Sequence, residues 1–271
     1  MKDILVHLDG GAQMPHRLDL SIDLAKRENA RLIGLFAQSE TDAPSIVARR
    51  PGNHLEAAAQ HARALFRDRT NEAGLDSKWW RLDHGEGNHV VAETVFCARY
   101  ADLTILGQWR AETGKVPENL VEQVVLNSGR PVLILPETGP VTHLGERIAL
   151  AWNGSREASR ALHDAMPFLE RAVQVDVLSI RDAGVHDQGE PENGPKVDIV
   201  DHLLRHGVKA RSERLVSEEL GVMDVILSRV FDLGSDLLVM GAHSGLGLSF
   251  LRGGGTRFML RHQTLPVLMS S

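Results

Sequence analysis

Short runs of Val, Ile and Leu alternate along this chain with longer stretches whose apolar residues recur every three or four positions. The runs predict strands over 4–8, 32–36, 78–82, 103–106 and 132–135, with helices over 15–28, 54–73, 89–100 and 117–128 between them. In the second of these helices Leu55, Ala58, Ala59, Ala62 and Leu65 share one face. The same alternation then returns. It predicts strands over 148–151, 175–180, 210–215, 237–240 and 267–269, and helices over 155–170, 197–206, 222–233 and 257–261.

The two series are copies. Ile4-Leu5-Val6-His7-Leu8-Asp9-Gly10 corresponds to Ile148-Ala149-Leu150-Ala151-Trp152-Asn153-Gly154, and Ala101-Asp102-Leu103-Thr104-Ile105-Leu106-Gly107 to Ser235-Asp236-Leu237-Leu238-Val239-Met240-Gly241. Each half closes on a Pro-Val-Leu run, at Pro131 and Pro266. The Pro/Gly-punctuated stretch from Pro136 to Pro140 separates the halves, giving expected domains over 1–138 and 145–271. Continuous apolar strands separated by helices are buried on both faces and run parallel. The expected fold class is therefore α/β, with two tandem doubly wound parallel sheets of five strands. Ligands of such sheets bind beyond the carboxyl ends of the strands, which directs attention to the residues after Leu8, Leu106, Ala151, Ile180 and Met240.

Composition narrows the function. With 42% hydrophobic and 24% charged residues, the 271-residue chain can bury real cores. Its net charge of −6 is shared equally by the halves, which argues against phosphate-driven binding of nucleic acid. A single cysteine, Cys97, excludes an intrachain disulfide. The opening apolar run is broken by His7, Asp9 and Gly10, too early for a secretion signal, and no stretch is apolar for long enough to span a membrane. A cytoplasmic, soluble protein with no membrane contact is expected.

Candidate chemistry concentrates after the fourth strand of the second half. Gly241, Ala242, His243, Ser244 and Gly245 lead through Arg252 to Gly253, Gly254, Gly255 and Thr256 at the start of the last helix. Glycines admit phosphate oxygens close to the backbone, and a helix start aims its amides at them. Thr256 adds a hydroxyl, while Arg252 and Arg257 add charge. A plain flexible connection is the competing reading. Neither a Walker A loop nor a dinucleotide fingerprint is present.

The doubled pattern, this glycine loop and the closing Pro-Val-Leu run resemble the universal stress protein family, as a tandem member. The resemblance spans nearly the whole chain and implies an adenine nucleotide alpha hydrolase-like fold in each half. Nucleotide-binding members carry Gly-x2-Gly-x9-Gly-(Ser/Thr) here, with the phosphates on that loop and the adenine near the ends of strands one and two. On this chain Gly241 takes the first glycine, and the second falls on Ser244, beside Gly245. Nine residues separate Gly245 from Gly255-Thr256, and the first gap is then three residues instead of two; alternatively Gly253-Gly254 takes the last pair and the loop is one residue short. At the strand-one position Asn153 replaces the usual Asp, and Ile180 would lie against the base; Asn153 or Ser155 as a helix cap, and Ile180 as core, are the competing readings.

The first half keeps Asp9-Gly10-Gly11 but has no glycine pair before its last helix, and Glu112, Glu118 and Glu122 bring negative charge there. It reads as a degenerate structural domain, with Trp79, Trp80 and Trp109 as packing or interface residues. The resemblance therefore implies a stress-response regulatory protein whose C-terminal half binds ATP or another adenine nucleotide, with Mg2+. No general base or loop lysine supports more than slow hydrolysis. The alternative is a stress-associated scaffold that binds no nucleotide and acts through protein contacts; an adenylyl-transferring enzyme is a third reading, against which stands the missing His-x-x-His. Family members pair through the last strand, which would make the chain an intrachain pseudo-twofold dimer or part of a homo-oligomer. His202, His206 and Asp198 have metal-compatible spacing without a third ligand motif, and a polar helix face explains them equally.

Overall fold

In the computed structural model, residues 1–40, 52–83, 85–111, 115–139, 141–182, 197–217, 221–243 and 254–271 are described. The chain divides into two compact units, Met1–Thr138 and Gly139–Ser271. The first runs β1 (Asp3–Leu8), α1 (Met14–Glu28), β2 (Arg31–Phe36), α2 (Asn53–Glu72), β3 (Ser77–Arg81), α3 (Gly87–Ala98), β4 (Leu103–Gly107), α4 (Leu120–Asn127) and β5 (Val132–Leu135). Its strands are parallel in the order β3-β2-β1-β4-β5. The central strand holds Ile4, Leu5, Val6 and Leu8 fully out of solvent, as a strand covered on both faces must. Beneath α2, Phe66 lies over Gly34, whose missing Cβ would come 2.8 Å from the ring, and Trp79 packs on Phe66 at 5.6 Å. Trp79 is thus a packing residue.

The second unit runs β6 (Arg147–Ala151), α5 (Arg156–Leu169), β7 (Gln174–Asp182), α6 (Ile199–Arg205), β8 (Ala210–Ser217), α7 (Val222–Asp232), β9 (Leu237–Gly241), α8 (Gly254–His262) and β10 (Val267–Ser270). Its strands are parallel in the order β10-β9-β6-β7-β8, so β6 holds the central place that β1 holds in the first unit. The α/β class and parallel sheets are those expected from the apolar pattern.

Equivalence extends to single residues. α1 buries Met14, Arg17, Leu18, Ser21, Leu24 and Ala25; α5 buries Ala158, Ala161, Leu162, Ala165, Phe168 and Leu169, and each pair is separated by the same distance in sequence. Both units also use an aspartate just before the fourth strand to fasten the start of the first. Asp102 Oδ2 accepts from the amides of Lys2 at 2.6 Å and Asp3 at 3.1 Å; Asp236 accepts from those of Gly145 and Glu146, each at 2.9 Å. Burial opposes the Asp102 carboxylate, but those amides, the N-terminal ammonium and Arg130 outweigh it and hold its pKa below the ordinary value.

Most element boundaries differ from expectation by one to three residues, and some of these differences have a visible cause. α4 starts at Leu120 because the segment after Pro117 is spent on a turn, with the Leu120 amide donating to the Pro117 carbonyl at 3.0 Å. β7 continues past Ile180 to Asp182, paired with β8 through Ser217. α8 begins at Gly254, three residues earlier than its apolar residues indicate. Among the described residues, no helix is long and apolar enough to cross a membrane.

Candidate nucleotide site and its closed counterpart

At the carboxyl end of the second sheet, Gly241 ends β9 and Asn153 follows β6, its neighbour in the sheet. Gly241 is there for packing. A Cβ on it would lie 2.6 Å from the backbone of Glu157 and Ala158, so the first turn of α5 rests directly on the exit of β9. Asn153 Oδ1 accepts from the Ser155 amide at 3.1 Å, and Ser155 Oγ caps α5 by accepting from the Ala158 amide at 3.1 Å. Ser155 is the cap, and the Asn153 side chain supports the turn that presents it. Gly154 at φ 71° makes that turn possible.

Thr256 ties the helix start to the strand exit. Its buried hydroxyl oxygen accepts from the His243 amide at 3.1 Å and lies 3.3 Å from the His243 carbonyl, to which it donates. His243 Nδ1 stands 3.7 Å from Glu157 Oε1, which joins α8, β9 and α5 in one cluster. The Glu157 carboxyl is held below its ordinary pKa, first by its own backbone amide, against partial burial, with Arg156, His243 and Ser155 adding to the effect. Gly254 and Gly255 supply first-turn amides of a nine-residue helix. Among the described residues, no atom lies within 4 Å of where a Gly254 Cβ would be, whereas a Gly255 Cβ would touch Met223 at 3.4 Å. Ile180 is half-buried inside the β7–β8 ladder, opposite Leu215, rather than at the strand end. Ser244, Gly245 and Gly253, with Arg252, lie outside the described residues.

The first unit treats the same crevice differently. Arg17, only 3% exposed, sends its guanidinium from α1 over the exit of β4, into the space a Gly107 Cβ would need. Its Nη2 meets Asp9 Oδ1 at 2.7 Å and its Nε donates to the His7 carbonyl at 2.9 Å. The Gly11 amide donates to Asp9 Oδ1 at 2.9 Å, and Gln38 Nε2 donates to the Asp9 carbonyl. Burial works against the Asp9 carboxylate; Arg17, His7 and the Gly11 amide overcome it and keep its pKa low. His7 Nε2 donates to the Ala37 carbonyl at 2.7 Å, and burial, helped by Arg17 and opposed by Asp9, lowers its pKa and keeps it neutral. Trp109 closes the rim, donating from Nε1 to the Val116 carbonyl at 2.9 Å. What remains between His7, Asp9, Arg17, Gln108 and Trp109 is a cavity of 20 Å³, room for one water.

Arg17 and Glu157 were not among the residues singled out from sequence. Arg17 carried a signal: it stands in the apolar stripe of α1, between Met14, Leu18 and Ser21, where the repeat places Ala161.

No protein-family model matches the sequence, and no curated protein matches it. Among solved structures the chain is similar to a universal stress protein from Archaeoglobus fulgidus DSM 4304, at 16% identity and a TM-score of 0.70, covering 99% of this chain and 96% of that one. It is also similar to a functionally unknown protein from Pseudomonas aeruginosa PAO1, at 16% identity and a TM-score of 0.61, covering 100% of this chain and 92% of that one. At such identity the likeness speaks to architecture: over its full length this chain has the fold of a universal stress protein.

Proposed function

We propose that the protein is a tandem universal stress protein, a cytoplasmic regulatory binder whose C-terminal unit takes ATP or another adenine nucleotide and whose N-terminal unit is a closed scaffold. The observation that carries this reading is the unlike content of the two equivalent crevices. One is filled by its own guanidinium and carboxylate; the other has Ala161 at that place and a glycine pair at a helix start. In the open unit the Gly254 and Gly255 amides fit phosphate oxygens, with the helix dipole adding to the attraction. The Asn153 amide nitrogen can donate to a ribose or base. Glu157 is a hard oxygen donor suited to the Mg2+ that accompanies a triphosphate.

Regulation rather than turnover is the role this chemistry suits. The His243 ring faces Glu157 Oε1 at 3.7 Å, which places it toward α5.

Calorimetric titration of nucleotide-free protein with ATP and Mg2+ tests the reading. The expected result is one site per chain, lost in Gly254→Asp, which sets a carboxylate against the amide cradle. Two sites per chain, or unchanged affinity in Gly254→Asp, would overturn the assignment. No binding at millimolar ATP would favour the protein-contact scaffold.

A further inference from the structure

We infer that the outer face of the second unit carries a two-imidazole chelate, His202 with His206, for a borderline divalent transition-metal ion such as Zn2+. The two rings lie 4.7 Å apart between centroids at the end of α6, close to the spacing of two imidazoles sharing one ion. His163 reaches in from α5, its ring 5.8 Å from that of His202. Its Nδ1 donates to the Ser159 carbonyl at 2.8 Å, which fixes that ring on α5 beside the pair.

Charge around the cluster is balanced rather than cationic. The two neighbouring arginines are matched on their own helices, Arg160 by Asp164 at 2.8 Å and Arg205 by Asp201 at 3.2 Å. Asp198, one turn before His202, is engaged as the cap of α6, its Oδ1 accepting from the Val200 amide at 2.8 Å. Among the described residues, no three His, Cys, Asp or Glu side chains are placed to hold an ion together. The inferred site is therefore an open chelate completed by water, with His163 beside it as a neighbour. Such a site is distinct from the nucleotide crevice and does not depend on it.

The test is calorimetric titration of the full chain with Zn2+ alone, in nucleotide-free buffer near neutral pH. One equivalent is expected to bind, with affinity falling at least tenfold in either His202→Gln or His206→Gln and unchanged in His61→Gln, an exposed histidine of the first unit. The variants are on the surface, and circular dichroism establishes that they fold. No saturable binding at about 1 mM Zn2+, which is an affinity too weak to matter, would overturn the inference. So would equal binding by the His202→Gln and His206→Gln variants.

Discussion

The two halves of this chain solve the same packing problem at the end of the fourth strand in opposite ways. In the second unit the first turn of α5 sits directly on Gly241, with the backbone of Glu157 and Ala158 where a Cβ would be. In the first unit a guanidinium fills the space over Gly107 and is neutralised by the aspartate at the exit of β1. A fold that normally leaves this end for a ligand can thus be completed by one of its own side chains. The arginine takes over two tasks: it fills volume, and it gives the strand-end carboxylate a partner.

The sharpest way to break this comparison is to remove the partner. Asp9→Ala leaves the Arg17 charge buried and unmatched, and should cost the first unit about 3 kcal/mol or more; the matching Asn153→Ala, which loses only a turn hydrogen bond, should cost under about 1 kcal/mol. Equal losses by denaturant unfolding would mean that the ion pair does not hold the crevice. Next in size, Gly241→Ala drives a methyl into the backbone of Glu157 and Ala158 and should cost about 3 kcal/mol. Gly107→Ala meets only the end of a flexible side chain and should cost less, though it displaces the pair. The two changes sharpen the contrast between a backbone seat and a side-chain plug.

The fastening aspartates should behave alike instead. Asp102→Asn and Asp236→Asn each weaken charge-assisted bonds to the amides of the first strand, and each should cost about 1.5 kcal/mol. A large disparity would show that the repeat is less symmetric than its hydrogen bonds. Smallest is the effect of pH. His7 is harder to protonate folded than unfolded, so above its ordinary 6.5 it is neutral in both states and contributes nothing. Below that value the unfolded chain takes up the proton first, and the melting temperature should fall with pH. His7→Gln should flatten this slope below about pH 6.5. The Asp102 contribution is complete above the ordinary carboxylate range and disappears only as the pH falls below about 4.

Much of the architecture was legible because burial on both faces forces apolar runs, and a duplicated chain states its pattern twice. Ile4 to Leu8 and Ile148 to Ala151 name the central strands, and Asp102 and Asp236 stand in visibly matching segments. Gly241 stood out in the sequence as a loop glycine, whereas its seat against Glu157 and Ala158, like the positive φ of Gly154, shows only in the structure. The start of α8 was not legible, since Gly254 and Gly255 have poor helix propensity and are held by the Thr256 bonds to the His243 backbone. Arg17 was hidden for a different reason. Periodicity scores an arginine as a surface residue, whereas its burial depends on Asp9 and the His7 carbonyl, partners that come together only when β1 and α1 fold against β4.

The order β3-β2-β1-β4-β5 also has a consequence for biosynthesis. The first strand made is the central one, and its second neighbour, β4, begins only at Leu103. At ordinary elongation rates roughly 5–20 s separate the two from the ribosome. Through that interval Ile4, Leu5 and Val6 have one edge unpaired and Asp102 is not yet available to fasten it. The nascent chain therefore passes through a sticky half-sheet, and chaperone demand should peak before, not after, the first unit is complete.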